Sequence, residues 1–284
     1  MKIMKTRVAV LMATYNGIQY LDEQLQSIMG QTYRQWDLYV QDDLSQDGTP
    51  QLLQKYAALD SRIHVLHTDN KLGAKGNFID LMRKVDADCY FFADQDDVWF
   101  PEKMQIALSE LHRQETEHPG KPIIVHSDLK VVDRNLNEIA PSLWKMLRIA
   151  PDLLHTFDSL AAHCLLTGCT MLFNHKVRDL SLSMPTEALM HDAWMALVTL
   201  RNGGIISEVT QPTMLYRQHG SNTIGAKDYR RNYLYRKIRN AFNTYHHQRN
   251  YYRMLRKAGY GSVFKFYKEK LKYYFAYRRK HKQN

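Results

Sequence analysis

Apolar runs rich in β-branched and aromatic residues alternate with segments of helical period through the first half of the chain, which is the pattern of a parallel α/β sheet. Val8 to Met12 reads as a first strand, and Leu21, Leu25 and Ile28 make the one-sided stripe of a helix. Asp37 to Val40 predicts a strand, Thr49 to about Leu59 a helix, Ile63 to Leu66 a short strand, and Gly76 to Val85 another helix. Cys89 to Ala93 is short, apolar and ends abruptly in acids, so it predicts a buried strand. Pro101 then opens a helix at the first-turn position where proline is tolerated. Ile123 to His126 is a fifth strand. Beyond it lie a less regular stretch containing Thr170 to Phe173, a helix beginning near Asp192, and an extended segment from Thr213 to Tyr216.

The pattern changes at the C-terminal end. From Tyr229 onward the chain is arginine, lysine and aromatics, with Gly259 and Gly261 as breakers, which predicts two helices joined near Gly259. Residues 1–224 therefore read as one folded body and residues 225–284 as a basic, aromatic extension. The net charge of +10 belongs to that extension, which holds 18 Lys and Arg against Asp228 and Glu269. The body is mildly acidic, which argues against a nucleic-acid-binding surface there. At 284 residues and 44% hydrophobic the chain can bury a sizeable core. Cys89, Cys164 and Cys169 contain no CxxC pair and cannot all pair with one another, so a disulfide scaffold or structural zinc site is not expected and a reducing compartment fits. No apolar run reaches the ~18 residues of a membrane span, and no export signal precedes the first strand, so a cytoplasmic location is expected.

In parallel α/β sheets ligands bind beyond the carboxyl ends of the strands, so the polar residues there are the candidates. After the first strand, Ala13-Thr14-Tyr15-Asn16-Gly17 offers a hydroxyl, an aromatic face, an amide and a turn. After the second, Asp42 and Asp43 can accept hydrogen bonds from a pyrimidine N–H or from ribose hydroxyls, while Asp47-Gly48-Thr49 suits a turn and a helix start. After the Cys89 strand, Asp94-Gln95-Asp96-Asp97 places three carboxylates within four residues, where hard oxygen ligands suit Mg²⁺ or Mn²⁺ and a cation could bridge to a diphosphate. The loop lacks the glycine and distal glutamate of an EF-hand.

These three motifs, in this order, resemble the family-two nucleotide-sugar glycosyltransferases with the GT-A fold, closest to the bacterial rhamnosyltransferase-like branch, over about residues 7–222. The resemblance implies an α/β domain with a mostly parallel central sheet and inverting transfer of a sugar from a nucleoside diphosphate. It assigns Thr14, Tyr15, Asn16, Asp42, Asp43, Asp94 and Gln95 to the donor nucleotide, and Asp96, Asp97 and His219 to Mn²⁺ or Mg²⁺, with Asp96 the principal contact. Asp192 becomes the general base, with His191 where the family usually carries glutamate. Arg217 would neutralise the leaving diphosphate, and Gly168, His191 and Trp194 would stand on the acceptor side. The expected donor is dTDP-L-rhamnose, with a UDP-hexose second; the expected acceptor is a lipid-linked saccharide feeding a cell-surface polysaccharide.

The tail has two readings. Arg230, Arg231, Arg236, Lys237 and Arg239, then Lys268, Lys270, Lys272, Arg278, Arg279 and Lys280, suit an anionic membrane surface, making the protein peripheral to the inner face of the cell membrane. Alternatively, the aromatics dock on the catalytic domain or on a second copy in a homo-oligomer. Interleaved Arg and Tyr could also stack on RNA bases, the reading from a different class. A nucleotidyltransferase is disfavoured because a glycine-rich phosphate loop is missing after the first strand.

Overall fold

The computed structural model describes residues 6–163, 166–219 and 241–281. Strand β1 (Val8–Thr14) leads through helix α1 (Ile18–Met29) to β2 (Trp36–Asp42), then through α2 (Thr49–Leu59) to β3 (Ile63–Leu66). Helix α3 (Gly73–Lys84) carries the chain back to β4 (Cys89–Asp94). All four strands are parallel, with β2 and β4 on opposite sides of β1. Along β1 the side chains alternate: Val8, Val10 and Met12 join one core with Leu21, Leu25 and Ile28, while Ala9 and Leu11 join a second with Phe78 and Met82. A parallel strand covered on both faces is continuously apolar, which is why β1 and β4 stand out in the sequence.

The second half is mixed rather than parallel. After β5 (Val98–Trp99) and α4 (Lys103–Glu117) come β6 (Ile123–Val132), β7 (Glu138–Ala140), α5 (Leu143–Leu147), α6 (Phe157–Ala162), β8 (Leu172–Asn174), α7 (His175–Ser181), α8 (His191–Arg201) and β9 (Ile205–Arg217). Among the described residues the sheet runs β3-β2-β1-β4-β8-β6-β9-β5, with β7 on β6. Strand β8 is antiparallel to β4 and β6, and β5 is antiparallel to β9.

Three local expectations shift. Helix α4 begins at Lys103 rather than Pro101, because Val98 and Trp99 first pair with β9 and the Pro101 carbonyl accepts the Thr32 N–H at 2.8 Å. Helix α3 begins at Gly73 rather than Gly76, because the Asp43 carboxylate accepts the Leu72 and Gly73 N–H groups at 2.6 and 3.0 Å. Strand β6 runs on past His126 through polar residues that are buried in pairs: Ser127 bonds Thr213 at 2.6 Å, and Asp128 accepts from Ser142 at 2.5 Å and from the Trp144 N–H at 3.2 Å. Polar positions of this kind break an apolar run in sequence without breaking the strand.

The tail forms α9 (Ala241–Lys257) and α10 (Val263–Lys280), joined through Gly259, whose φ of 87° suits glycine. Met254, Leu255, Ala258 and Tyr260 bury themselves against Trp194, Leu197 and Val198 of α8 and Ala161 of α6, and the Tyr251 hydroxyl donates to the Ala161 carbonyl at 2.7 Å. One face of the tail thus docks on the catalytic domain. The expected boundary near residue 224, and Arg230, Arg231, Arg236, Lys237 and Arg239, lie outside the described residues. No helix among the described residues is long and apolar enough to cross a membrane.

Candidate active site

The connection order puts a crevice beyond β1 and β4, because the chain leaves β1 toward β2 and β3 and returns to β4 on the other side. Strand register then fixes which residues share its rim. Thr14 stands level with Asp42, and Ala13 with Asp94. Thr14 donates to Asp42 Oδ1 at 2.8 Å, and Ser45 donates its N–H and hydroxyl to the same carboxylate at 2.8 and 2.6 Å. Asn16 sits at φ 46°, where its side chain accepts the Gln46 N–H at 2.9 Å and its own N–H meets Ser45 Oγ at 2.7 Å. Gln95 clasps the β1 loop from the other side, accepting the Tyr15 N–H at 2.8 Å and donating to the Tyr15 carbonyl at 3.0 Å. Tyr15 itself is exposed, with the Lys71 ammonium 3.7 Å from its ring centre. Asp43 is buried and committed to the start of α3, so it holds the loop that frames the crevice.

Beyond β4 the acids divide. Asp94, Asp97 and Cys169 bring one ligand atom each to within 4.8 Å of one another. Cys169 arrives because β8 runs antiparallel to β4, which returns the turn Gly168–Thr170 to the crevice end. Burial pushes the Asp94 carboxyl up to about 7, and the charges of Asp96 and Asp192 add to the shift. Asp97 is raised in the same direction by burial and by Asp96 and Asp94, and its Oδ2 has no hydrogen-bond partner. Burial and the two carboxylates push the Cys169 thiol up as well, so it stays a protonated sulfur beside the oxygens. A carboxylate pair, Asp97 buried and Asp94 half-buried, with an unpartnered oxygen is a donor set for a hard divalent cation. The convergent acids are thus Asp94 and Asp97. Asp96, expected as the principal metal contact, pairs its Oδ2 with His219 Nε2, expected on the same ion, at 2.6 Å.

Strand β9, held by β5, delivers the residues after Met214 to this rim. Arg217 is buried, with its Nε on the Asp96 carbonyl at 2.8 Å, another nitrogen on the Arg134 carbonyl at 2.8 Å, a third on Glu23, and its guanidinium 4.6 Å from the Tyr20 ring centre. Its N–H also reaches Asp97 Oδ1 at 3.3 Å. In this arrangement Arg217, expected to neutralise a leaving diphosphate, braces the acid loop through Asp96 and Asp97. The rest of that segment, from Gly220 to Asn222, lies outside the described residues.

Helix α8 supplies Asp192 in its first turn. Its carboxylate accepts the Gly168 N–H at 3.1 Å and the Ala193 N–H at 2.6 Å, while burial pushes its carboxyl up to about 6. Gly168 leaves that contact close-fitting: a Cβ there would stand 3.1 Å from His191 Nε2 and 3.6 Å from Asp192 Oδ2. The other acceptor-side expectations turn inward. His191 is buried with ring centres 4.5 Å from Phe78 and 4.8 Å from Phe92, and burial depresses it to about 3, so it is a neutral packing ring. Trp194 lies under α9, and Trp99 and Trp144 are buried too, so none of the three offers an open face to a sugar.

Lys103 is a site residue that the sequence reading passed over. It is buried beneath the acids, its Nζ donating to the Cys169 carbonyl at 3.0 Å, and burial lowers it to about 8 against the opposing pull of its neighbours. The available signal was a lysine spaced one helical start after the acid loop, where an apolar residue would otherwise face the core.

Residues 9–173 match the family model for glycosyl transferase family 2, and the chain belongs to that family. It is a glycosyltransferase. The chain is 28% identical over 227 residues to the dTDP-rhamnosyl transferase RfbG of Shigella flexneri, covering 76% of this chain and 74% of that protein. It is 30% identical over 102 residues to the Escherichia coli glucosyltransferase WfgD, named for transfer from UDP-Glc to α-D-GlcNAc-diphosphoundecaprenol, covering 36% of this chain and 40% of that one. Its fold is similar to S. aureus TarS 1-349 in complex with UDP-GlcNAc, with a TM-score of 0.59 at 17% identity, spanning 76% of this chain and 60% of that one. The mannosyltransferase PcManGT of Pyrobaculum calidifontis, in complex with GDP-Man and Mn2+, superposes with a TM-score of 0.58 at 18% identity over 75% of this chain and 57% of that one. These structures share the GT-A fold.

Proposed function

We propose that the protein transfers L-rhamnose from dTDP-L-rhamnose, with inversion, to a lipid-linked saccharide in the assembly of a cell-surface polysaccharide. The observation that carries the mechanism is the Gly168 turn, which ties Asp192 to the same crevice end as Asp94 and Asp97. The choice of rhamnose is supported by the likeness to RfbG across three quarters of both chains. A UDP-hexose donor is the second reading, supported by the shorter likeness to WfgD, whose printed acceptor also motivates the lipid-linked acceptor here.

In this reading the base of the donor lies along Thr14, Tyr15 and Asn16, with Asp42 at its edge and Gln95 holding the loop. Asp94 and Asp97 would hold Mn²⁺ or Mg²⁺, with Asp96 and His219 beside them, and that cation would supply positive charge to a departing diphosphate. Asp192 takes the proton from the acceptor hydroxyl as its oxygen attacks the anomeric carbon and the bond to the diphosphate breaks. A carboxylate held near pH 6 is ionised at neutral pH yet basic enough for that role.

The test is a transfer assay with dTDP-rhamnose and with UDP-glucose on a polyprenyl-diphosphate saccharide, wild type against Asp192→Asn. Turnover with dTDP-rhamnose that the variant loses while it still binds donor supports the reading. Turnover with UDP-glucose alone selects the second donor, and retained turnover in the variant removes Asp192 from the base role.

A further inference from the structure

Helix α10 has two apolar faces, and only one of them is used by the fold. On the inner face Tyr273 accepts the Ala150 N–H through its hydroxyl at 2.8 Å and sets its ring 4.2 Å from that of His163, while Lys265 and Lys280 tie the helix to Asp158 and Asp152 at 2.7 Å each. The opposite side carries Phe264, Tyr267, Leu271, Tyr274 and Phe275, between 50% and 91% exposed. At about 100° per residue, Phe264, Leu271 and Phe275 fall within about 40° of one another, the two tyrosines run along one edge, and Lys268 and Arg279 run along the other. A continuous exposed stripe of this kind on an otherwise docked helix calls for a partner.

Charge says which partner. Seven Lys and Arg stand on α10 against the single Glu269, which is already paired with Lys272. Lys268 and Arg279, which border the stripe, make no ion pair among the described residues. A second copy laid on the stripe would bring like charges together, and a neutral apolar peptide would leave them unmatched. A surface with an apolar layer beneath negatively charged headgroups matches both the rings and the flanking cations, with tyrosines at the boundary between them. We propose that the outward face of α10 docks on an anionic lipid surface, burying Phe264, Leu271 and Phe275 among the acyl chains while Lys268 and Arg279 meet the headgroups.

This inference stands apart from the donor and acceptor assignments, yet it bears on them. Helix α9 and the turn before α10 share a core with α8, the helix that begins beside Asp192. Anchoring α10 therefore orients the catalytic domain relative to the lipid surface through packed side chains and not through a flexible tether.

The test is co-sedimentation of the full chain with phosphatidylcholine vesicles, with and without phosphatidylglycerol, in the absence of any sugar donor. Wild type is expected to pellet with the anionic vesicles only. The triple variant Phe264→Ser, Leu271→Ser, Phe275→Ser should keep the wild-type melting temperature, because these side chains are exposed, and should bind roughly tenfold more weakly or worse. Lys268→Glu with Arg279→Glu should weaken binding by a similar factor and serves as the second arm should the triple variant fold poorly. Wild type that ignores anionic vesicles, or variants that bind them as wild type does, would overturn the proposal. A triple variant that turns a dimer into a monomer in light scattering, with vesicle binding unchanged, would assign the stripe to a second copy of the chain.

Discussion

At the scale of single residues, the site is a set of carboxylates held in conflict. Asp192→Asn removes the basic oxygen while keeping the shape that accepts the Gly168 N–H, so kcat should fall roughly 100- to 10,000-fold with little change in donor binding. Under the proposed mechanism the wild-type rate should rise with pH through about 6 and level off, because Asp192 would have to be ionised to take a proton. A rate that is flat from about pH 5 to 8 would contradict this. Gly17 offers a different kind of test. A Cβ there would stand 2.2 Å from Gln95 Oε1, so Gly17→Ala should swing that amide away and break its two bonds to Tyr15. The expected loss is about 1–3 kcal/mol, measured by denaturant unfolding, with a weaker donor site.

At the scale of elements, the C-terminal helices are part of the catalytic domain's packing. Truncation before α9 would uncover Trp194, Leu197 and Val198 and the buried faces of α6 and α8. Such a protein should melt far below the full chain or aggregate, so deletion is a poor probe of membrane binding. Met254→Ala, which opens a cavity in that interface, should cost about 2–5 kcal/mol by chemical unfolding, and a neutral result would mean the helices are only loosely docked. The paired helices around Gly259 are legible in the sequence because glycine interrupts an otherwise helical composition. Which aromatics turn inward is not: Tyr273 and Tyr274 are neighbours in sequence, and only the position of His163 and Ala150 separates the docked ring from the exposed one.

For the whole molecule, the acid cluster links stability to pH and, under the proposed function, to metal. Asp94 at about 7 and Asp192 at about 6 lie above the ordinary 3.8, and Asp97 shifts the same way. The folded chain therefore binds protons more tightly than the unfolded one, so these groups make stability fall as pH rises from about 4 through 7. A divalent cation would replace those protons. Mn²⁺ should raise the melting temperature more at about pH 8 than at about pH 5, and EDTA should reverse the gain. Asp97→Asn should melt higher than wild type without metal and lose most of the Mn²⁺ shift. Equal shifts at both pH values would separate the cluster from metal binding.

Local periodicity and composition determine the alternation of strand and helix as far as β4, the acids at the ends of β2 and β4, the basic tail and the family resemblance. Each of these is written in neighbouring residues: a strand between helices must be apolar, and a strand end that meets solvent can be polar. The tertiary structure alone decided which side chains meet. Asp94 converges with Asp97 and Cys169 while Asp96 pairs with His219, Arg217 ties the acid loop to Glu23, and Trp194 is buried under α9, all through partners distant in sequence. Those choices depend on strand order and on which groups must share the interior, and no short-range pattern carries either.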